Sequence, residues 1–172
     1  MKRVAIVYDR VNKWGGAERV LLALHEIFPE APLYTSVYDA KGAPWAKVFP
    51  KVYTSFLQRL PILRSNHEFL AVFMPFAFSS FDFSEYDLVI SVTSELAKGI
   101  RVRGKTRHIC YCLTPTRYLW SGYKEYFRWK PLKIFGLPAV LFLRKWDRNA
   151  AQKPDMMVAI STEVKKRIKK YY

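Results

Sequence analysis

Side chains with chemical potential fall in three short stretches. In the first, an apolar run over residues 4–8 stops at Asp9, and the loop Trp14-Gly15-Gly16-Ala17 precedes a helical pattern. Paired glycines let backbone amides approach a ligand with no Cβ in the way, and the helix behind them turns its positive dipole end toward the same point. A phosphate group suits such a place, although an ordinary strand-to-helix turn uses the same glycine geometry. Neither the dinucleotide pattern G-x-G-x-x-G nor the lysine of a P-loop is present.

The second stretch, YCLTPTRYLW over residues 111–120, begins as a buried strand and breaks at Thr114-Pro115. Thr114, Thr116 and Arg117 then lie past the carboxyl end of the strand, the edge where open parallel sheets hold ligands. Arg117 offers a planar fork to phosphate, or a salt bridge to a nearby carboxylate. The third stretch, YLWSGYKEYFRWKPLKIF over 118–135, interleaves aromatic rings with Lys and Arg. That mixture suits the headgroup layer of an anionic membrane, with Lys124, Arg128, Trp129, Lys130 and Lys133 at its surface. It also suits stacking on single-stranded nucleic acid, or inward-packed rings beneath solvated cations.

Elsewhere the signals are weak. His25, His67 and His108 are scattered, with no carboxylate or cysteine at the spacing of a triad or metal site, so no metal is expected. Cys110 and Cys112 sit two apart in a strand, on one face, and are badly placed to bond each other. Glu18 and Glu95 stand near helix starts and complement the dipole.

These stretches need elements to hold them. Residues 4–8 form a continuous apolar run, the pattern of a parallel strand buried on both faces, and 87–92 and 107–112 read as further buried strands. Residues 32–38, 48–53 and 155–160 read as further strands. Ala17, Val20, Leu21, Leu24, Ile27 and Phe28 make one helical stripe closed by Pro29. Helices are also expected over 66–78, interrupted at Pro75, over 133–152 with a bend near Pro138, and after Ser161 as N-cap. Strand, glycine loop and helix in succession predict an α/β fold: a Rossmann-like, doubly wound, mostly parallel sheet flanked by helices.

A chain of 172 residues, 51% hydrophobic and 25% charged, is expected to form one globular domain spanning residues 1–172. Its net charge of +15 is concentrated: residues 101–172 hold 18 bases and 4 acids, a surplus of 18 − 4 = +14. A surplus of that size attracts polyanions: nucleic acid, anionic lipid or phosphorylated ligands. No apolar run reaches the roughly 18 residues of a membrane span, and the short run after Met1-Lys2-Arg3, which stops at Asp9, is not expected to act as a secretory signal. The expected location is the cytoplasm, with contact to a membrane but no crossing.

Four segments taken together, VAIVYDRVNKWGGAERVL, FDFSEYDLVISVTSELAKGI, HICYCLTPTRYLW and RKWDRNAAQKPDMMVAISTEVKKRIKKYY, resemble the N-terminal half of family four glycosyltransferases, retaining enzymes of the GT-B fold. The resemblance implies an acceptor-binding half that faces a second, nucleotide-sugar-binding half absent from this chain. Transfer would take place in the cleft between them. It places Gly15 and Gly16 against the donor diphosphate and Asp9, Thr114, Arg117 and Tyr118 beside the acceptor. The partners implied are a nucleotide sugar as co-substrate, a glycan or glycolipid acceptor, and the inner face of an anionic cytoplasmic membrane, with no nucleic acid and no other cofactor. Relatives often carry a histidine where this chain has Leu113, which can neither donate nor accept a proton, so no catalytic residue is assigned and the single half is expected to be inactive. The rival readings are a non-catalytic module for carbohydrate or lipid phosphate and a basic nucleic-acid-binding α/β domain.

Overall fold

The computed structural model describes residues 2–59, 67–126 and 130–172. Its elements, in chain order, are β1 (Val4–Tyr8), α1 (Gly16–Ile27), β2 (Leu33–Thr35), β3 (Val52–Thr54), α2 (His67–Ser79), β4 (Leu88–Thr93), β5 (Arg107–Cys112), α3 (Lys130–Ala151), β6 (Met156–Ala159) and α4 (Thr162–Tyr171). The six strands form one all-parallel sheet in the order β3-β2-β1-β4-β5-β6. The α/β, Rossmann-like fold read from the sequence is the fold observed.

The order follows from short connections. The chain steps outward from β1 to β2 and β3, returns through α2 to pair β4 with β1, with Ile6 opposite Ile90, and continues outward to β5 and β6. β1 and β4 are therefore neighbours whose following loops leave in opposite directions, which defines the topological switch point of the sheet. Side chains alternate across each strand, so both faces need cover. On one face, Ile6, Tyr8 and Val92 meet Leu21 of α1 together with Ala46 and Phe49. On the other, Ala5, Val7 and Val89 meet Met74 and Phe78 of α2 and Val140 and Leu143 of α3. Each fully buried large side chain here contributes about 1.5–3 kcal/mol.

The structure sharpens several expectations. The predicted strand over 32–38 is only Leu33–Thr35, because the chain bends away to a lone bridge between Val11 and Tyr38. The strand over 48–53 is Val52–Thr54, since Pro44–Val48 forms a 3₁₀ turn with proline in its first turn. Helix α2 runs through Pro75 without interruption, the proline being buried within it. Ser161 is the N-cap of α4 as expected, its hydroxyl accepting from the Val164 amide at 3.2 Å. Cys110 and Cys112 are reduced and buried against Val164, and burial raises their thiols to about 11 and 12.

Candidate functional site

The carboxyl edge of β1, β4 and β5 carries a polar cluster built in layers. Its base is Asp9, which directly follows β1 and is 2% exposed. Oδ1 accepts from Thr93 Oγ1 at 2.9 Å, from the Leu96 amide at 3.0 Å and from the Ala97 amide at 2.9 Å. Oδ2 accepts from the amides of Ser94 at 2.7 Å and Glu95 at 2.9 Å. The carboxylate thus caps the 3₁₀ turn Ala97–Gly99 from a different loop and staples β1 to the loop after β4. Asp9, expected beside an acceptor, instead has both oxygens committed inside the protein.

Above it lies a buried ionic network. Lys98 Nζ is 2.6 Å from Asp147 Oδ1 of α3, with side-chain exposures of 1% and 0%. The ammonium also reaches Thr116 Oγ1 at 3.1 Å and donates to the Glu95 carbonyl. Asp147 Oδ2 accepts from Trp120 Nε1 at 2.7 Å and from the Tyr172 hydroxyl at 2.9 Å, and that hydroxyl accepts from the Thr116 amide at 3.2 Å. Thr116 Oγ1 lies 2.8 Å from the Glu95 carbonyl and 3.0 Å from Asp147 Oδ1. Burial pushes the Lys98 amine down, but Asp147 overrides it and holds the group above the ordinary lysine range. Buried pairs of this kind are weak stabilisers relative to apolar packing, whereas they fix one geometry. Here that geometry is the loop 94–98.

At the mouth of the switch point, Arg10 from the end of β1 pairs with the Glu95 carboxylate from the end of β4. The Tyr118 phenol sits in the same field: burial, then Glu95, Asp147 and Asp9, hold its pKa well above the ordinary value. Glu95 is pushed up to about 7, chiefly by burial, with Arg10 pulling it down and Asp9 up.

The glycine loop is arranged differently from a bare anion nest. Gly15 is extended, and Glu18 folds back beneath it so that an added Cβ would meet Glu18 Oε2 at 3.1 Å. Glu18 is itself buried, with Oε1 accepting from Tyr8 Oη at 3.1 Å. One carboxylate therefore already complements the start of α1. Gly16, by contrast, is exposed, with nothing within 4 Å of its Cβ position. Thr114 is half-buried, and its hydroxyl donates to its neighbour's carbonyl. Arg117 is exposed, 3.8 Å from Glu125 across solvent, a pair worth about 0–1 kcal/mol. Leu113 donates its amide to the Thr93 carbonyl at 2.8 Å and rests its side chain on the α1-side core.

Of the predicted site residues, the fold gathers Asp9 and Tyr118 at the switch point and leaves Gly16 and Arg117 on open rims. Sequence reasoning missed Arg10, Lys98, Asp147 and Tyr172, and treated Glu95 as a dipole partner only. Two signals were present. Lys98 interrupts an apolar run, Leu96-Ala97-Lys98-Gly99-Ile100, and Asp147 falls on the 140, 143, 147, 150 stripe that α3 buries.

The calls on Arg128 and Trp129 lie outside the described residues, as do the side chains of Lys124, Lys130 and Lys133. Helices α2 and α3 pack together and expose Phe73, Phe76, Leu137, Leu141 and Phe142. Part of the aromatic stretch turns inward instead: Arg144 lies over the rings of Trp120 and Tyr123 at 5.4 and 4.7 Å. No helix among the described residues is long and apolar enough to cross a membrane. Among those residues, no group of three His, Cys, Asp or Glu is placed to hold a metal ion.

Comparison of the chain with protein-family models, with curated proteins and with solved structures finds no match.

Proposed function

We propose that this chain is the acceptor-binding half of a retaining, sugar-nucleotide-dependent glycosyltransferase that attaches peripherally to the inner face of an anionic membrane. The observation that carries the reading is the switch point between β1 and β4, where a rigid polar shelf stands beside an open glycine loop. The four segments that resemble family four glycosyltransferases surround this same edge.

In this reading the exposed Gly16 amide, with Gly15, meets the donor diphosphate on the side away from Glu18. Thr114 and Arg117 face the acceptor, with the buried Tyr118 phenol behind them. Asp9 serves one step back, holding the loop 94–98 that forms the floor. The base that would activate an acceptor hydroxyl does not come from Leu113, and charge stabilisation of the leaving diphosphate belongs to the second half.

Membrane attachment is supported by the apolar outward face of α2 and α3. Phe76 and Leu141 are 55% and 54% exposed, unusual for large apolar side chains on adjacent helices. Cations near an anionic surface add about 1 kcal/mol each, so a few exposed lysines suffice for reversible binding.

Two measurements test the proposal. In saturation-transfer NMR with detergent-dispersed polyprenyl-phosphate glycans, signal should reach the sugar protons and fall in Arg117→Ala. Binding to oligonucleotides alone, steeply weakened by salt, would point to the nucleic-acid reading instead. Leu113 favours the second reading, a non-catalytic module. Adding a separately expressed nucleotide-sugar-binding half distinguishes the two, since acceptor binding without turnover identifies the module.

A further inference from the structure

We infer that the α1 side of the sheet, where it passes over β5 and β6, is a docking surface for one amphipathic helix with an acidic polar face, supplied by another polypeptide. The surface exists whether or not the chain is a glycosyltransferase half.

Cover on that side stops partway across the sheet. One row of directly opposed side chains runs Leu33, Ile6, Ile90, Ile109 and Met156, from β2 to β6. Leu33 and Ile6, packed with Leu21 of α1 and Ala46, are 0% exposed, and Ile90 is 7% exposed. Ile109 is half-buried and Met156 is 57% exposed. The next row passes in the same way from the buried Val92 to Tyr111 and Val158, both half-buried. Ile160 continues the alternation and is 45% exposed. On the opposite side of these two strands, Cys110 and Cys112 are fully buried against Val164 of α4. β5 and β6 are thus covered on one face and bare on the other, whereas parallel sheets are covered on both.

Three features select the occupant. Two strands about 4.8 Å apart make a strip about 10 Å wide, the width of one helix with its side chains. A helix is also what covers the strands beside them. Second, α1 extends the strip. His25 packs on Phe49, from the segment that leads into β3, so the other flank of α1, with Val20, Leu24 and Ile27, borders the open strands. Ile27 is exposed there. Third, charge argues against a second copy of this chain. The protein carries a net +15, and the exposed Lys105, Arg107 and Lys153 stand at the amino ends of β5 and β6, where Asp155 is paired with Arg107. A copy would oppose two surfaces of one sign, while glutamates along the polar face of a helix complement them.

The probe is a fluorescein-labelled peptide of about 14 residues, with leucine at the i, i+3, i+4 and i+7 spacing and glutamate on the remaining face. Anisotropy titration with the whole chain should show saturable binding. Met156→Ser with Ile160→Ser should weaken it by about ten-fold or more, because the apolar centre of the strip is lost. Both side chains face solvent in the free protein, so this variant keeps its fold by circular dichroism; should it not, Ile27→Ser takes its place. Phe76→Ser with Leu141→Ser, on the separate patch of α2 and α3, should bind the peptide as wild type does. A scrambled peptide of the same composition, and one with lysine in place of glutamate, should each bind about ten-fold more weakly or worse. Equal binding of ordered and scrambled peptides would mean charge attraction alone, and overturns the inference. So does an absence of binding, or an unchanged affinity in the folded Met156 and Ile160 variant. A concentration-dependent dimer in sedimentation equilibrium that this variant abolishes would make a second copy the occupant, and overturns it as well. Glycan signal in the NMR assay is read separately, so either reading can fail without the other.

Discussion

Replacing Asp147 by alanine tests whether the loop 94–98 is held by buried charge. The substitution strands the Lys98 ammonium, 2.6 Å from its lost partner and 1% exposed. An uncompensated buried charge of this sort costs about 3–5 kcal/mol. Lysine has an escape: with Asp147 gone, burial is opposed chiefly by Tyr172 and drives the amine toward the neutral form in the folded state. Deprotonating a group of ordinary pKa near 10.4 at pH 7 costs about 1.36 kcal/mol for each of roughly 3.4 units, a ceiling of about 4.6 kcal/mol. The amine's pKa in the folded variant lies below its unfolded value, so stability returns as pH rises toward 10. The loss should therefore be about 4 kcal/mol at pH 7 and smaller by about 1.4 kcal/mol per pH unit above it. For a domain of this size that is a fall in Tm of about 8–16 °C. Urea unfolding followed by tryptophan fluorescence at pH 7 and pH 9 measures it. Lys98→Met combined with Asp147→Leu should lose much less than Asp147→Ala, because no charge is left behind. A loss below about 1 kcal/mol at pH 7, the same loss at pH 9, or a double variant as unstable as the sum of its parts would refute the reasoning.

Three further outcomes follow from the same physics. His108 is lowered to about 4, chiefly by burial, and Glu95 is raised to about 7. Stability from neutral His108 is complete above pH 6.5 and lost toward pH 4; stability from protonated Glu95 is complete below about pH 4.5 and lost toward pH 7, each by about 3 kcal/mol. Relative to wild type, Glu95→Gln should thus gain about 3 kcal/mol between pH 4.5 and pH 7 in urea unfolding, and parallel profiles would dismiss the opposition. Gly99→Ala should lose about 1–3 kcal/mol, because its Cβ collides with the Trp146 ring, and Trp146→Leu should rescue it. Unchanged thermal unfolding in Gly99→Ala would contradict that contact. Phe76→Ser with Leu141→Ser should abolish most cosedimentation with anionic phosphatidylglycerol vesicles while leaving Tm nearly unchanged, since both side chains face solvent. Persistent binding would remove α2 and α3 from the membrane surface.

What the amino-acid sequence determined by itself is local or periodic. β1 and β4 were legible as largely apolar runs because a central parallel strand is buried on both faces, β5 as a shorter apolar stretch behind Arg107 and His108, and Ser161 as a cap because its hydroxyl acts within one turn. β2 and β3 were drawn too long, since three paired residues leave little periodic signal and Pro44 starts a turn that propensity does not distinguish from a strand end. Gly15, Gly16 and the break at Thr114-Pro115 were placed at the correct edge, because strand direction alone sends every βα loop there. Only the tertiary structure decided which polar groups meet. Asp9 and Ala97 are 88 residues apart, and Thr116 and Tyr172 are 56 apart. Whether a carboxylate such as Asp9 or Asp147 is a solvated cap or a buried clamp depends on three elements closing over it, and no window of neighbouring residues contains that information. The charge of Glu95 is set in the same way, by burial and by an arginine brought to it through the pairing of β1 with β4.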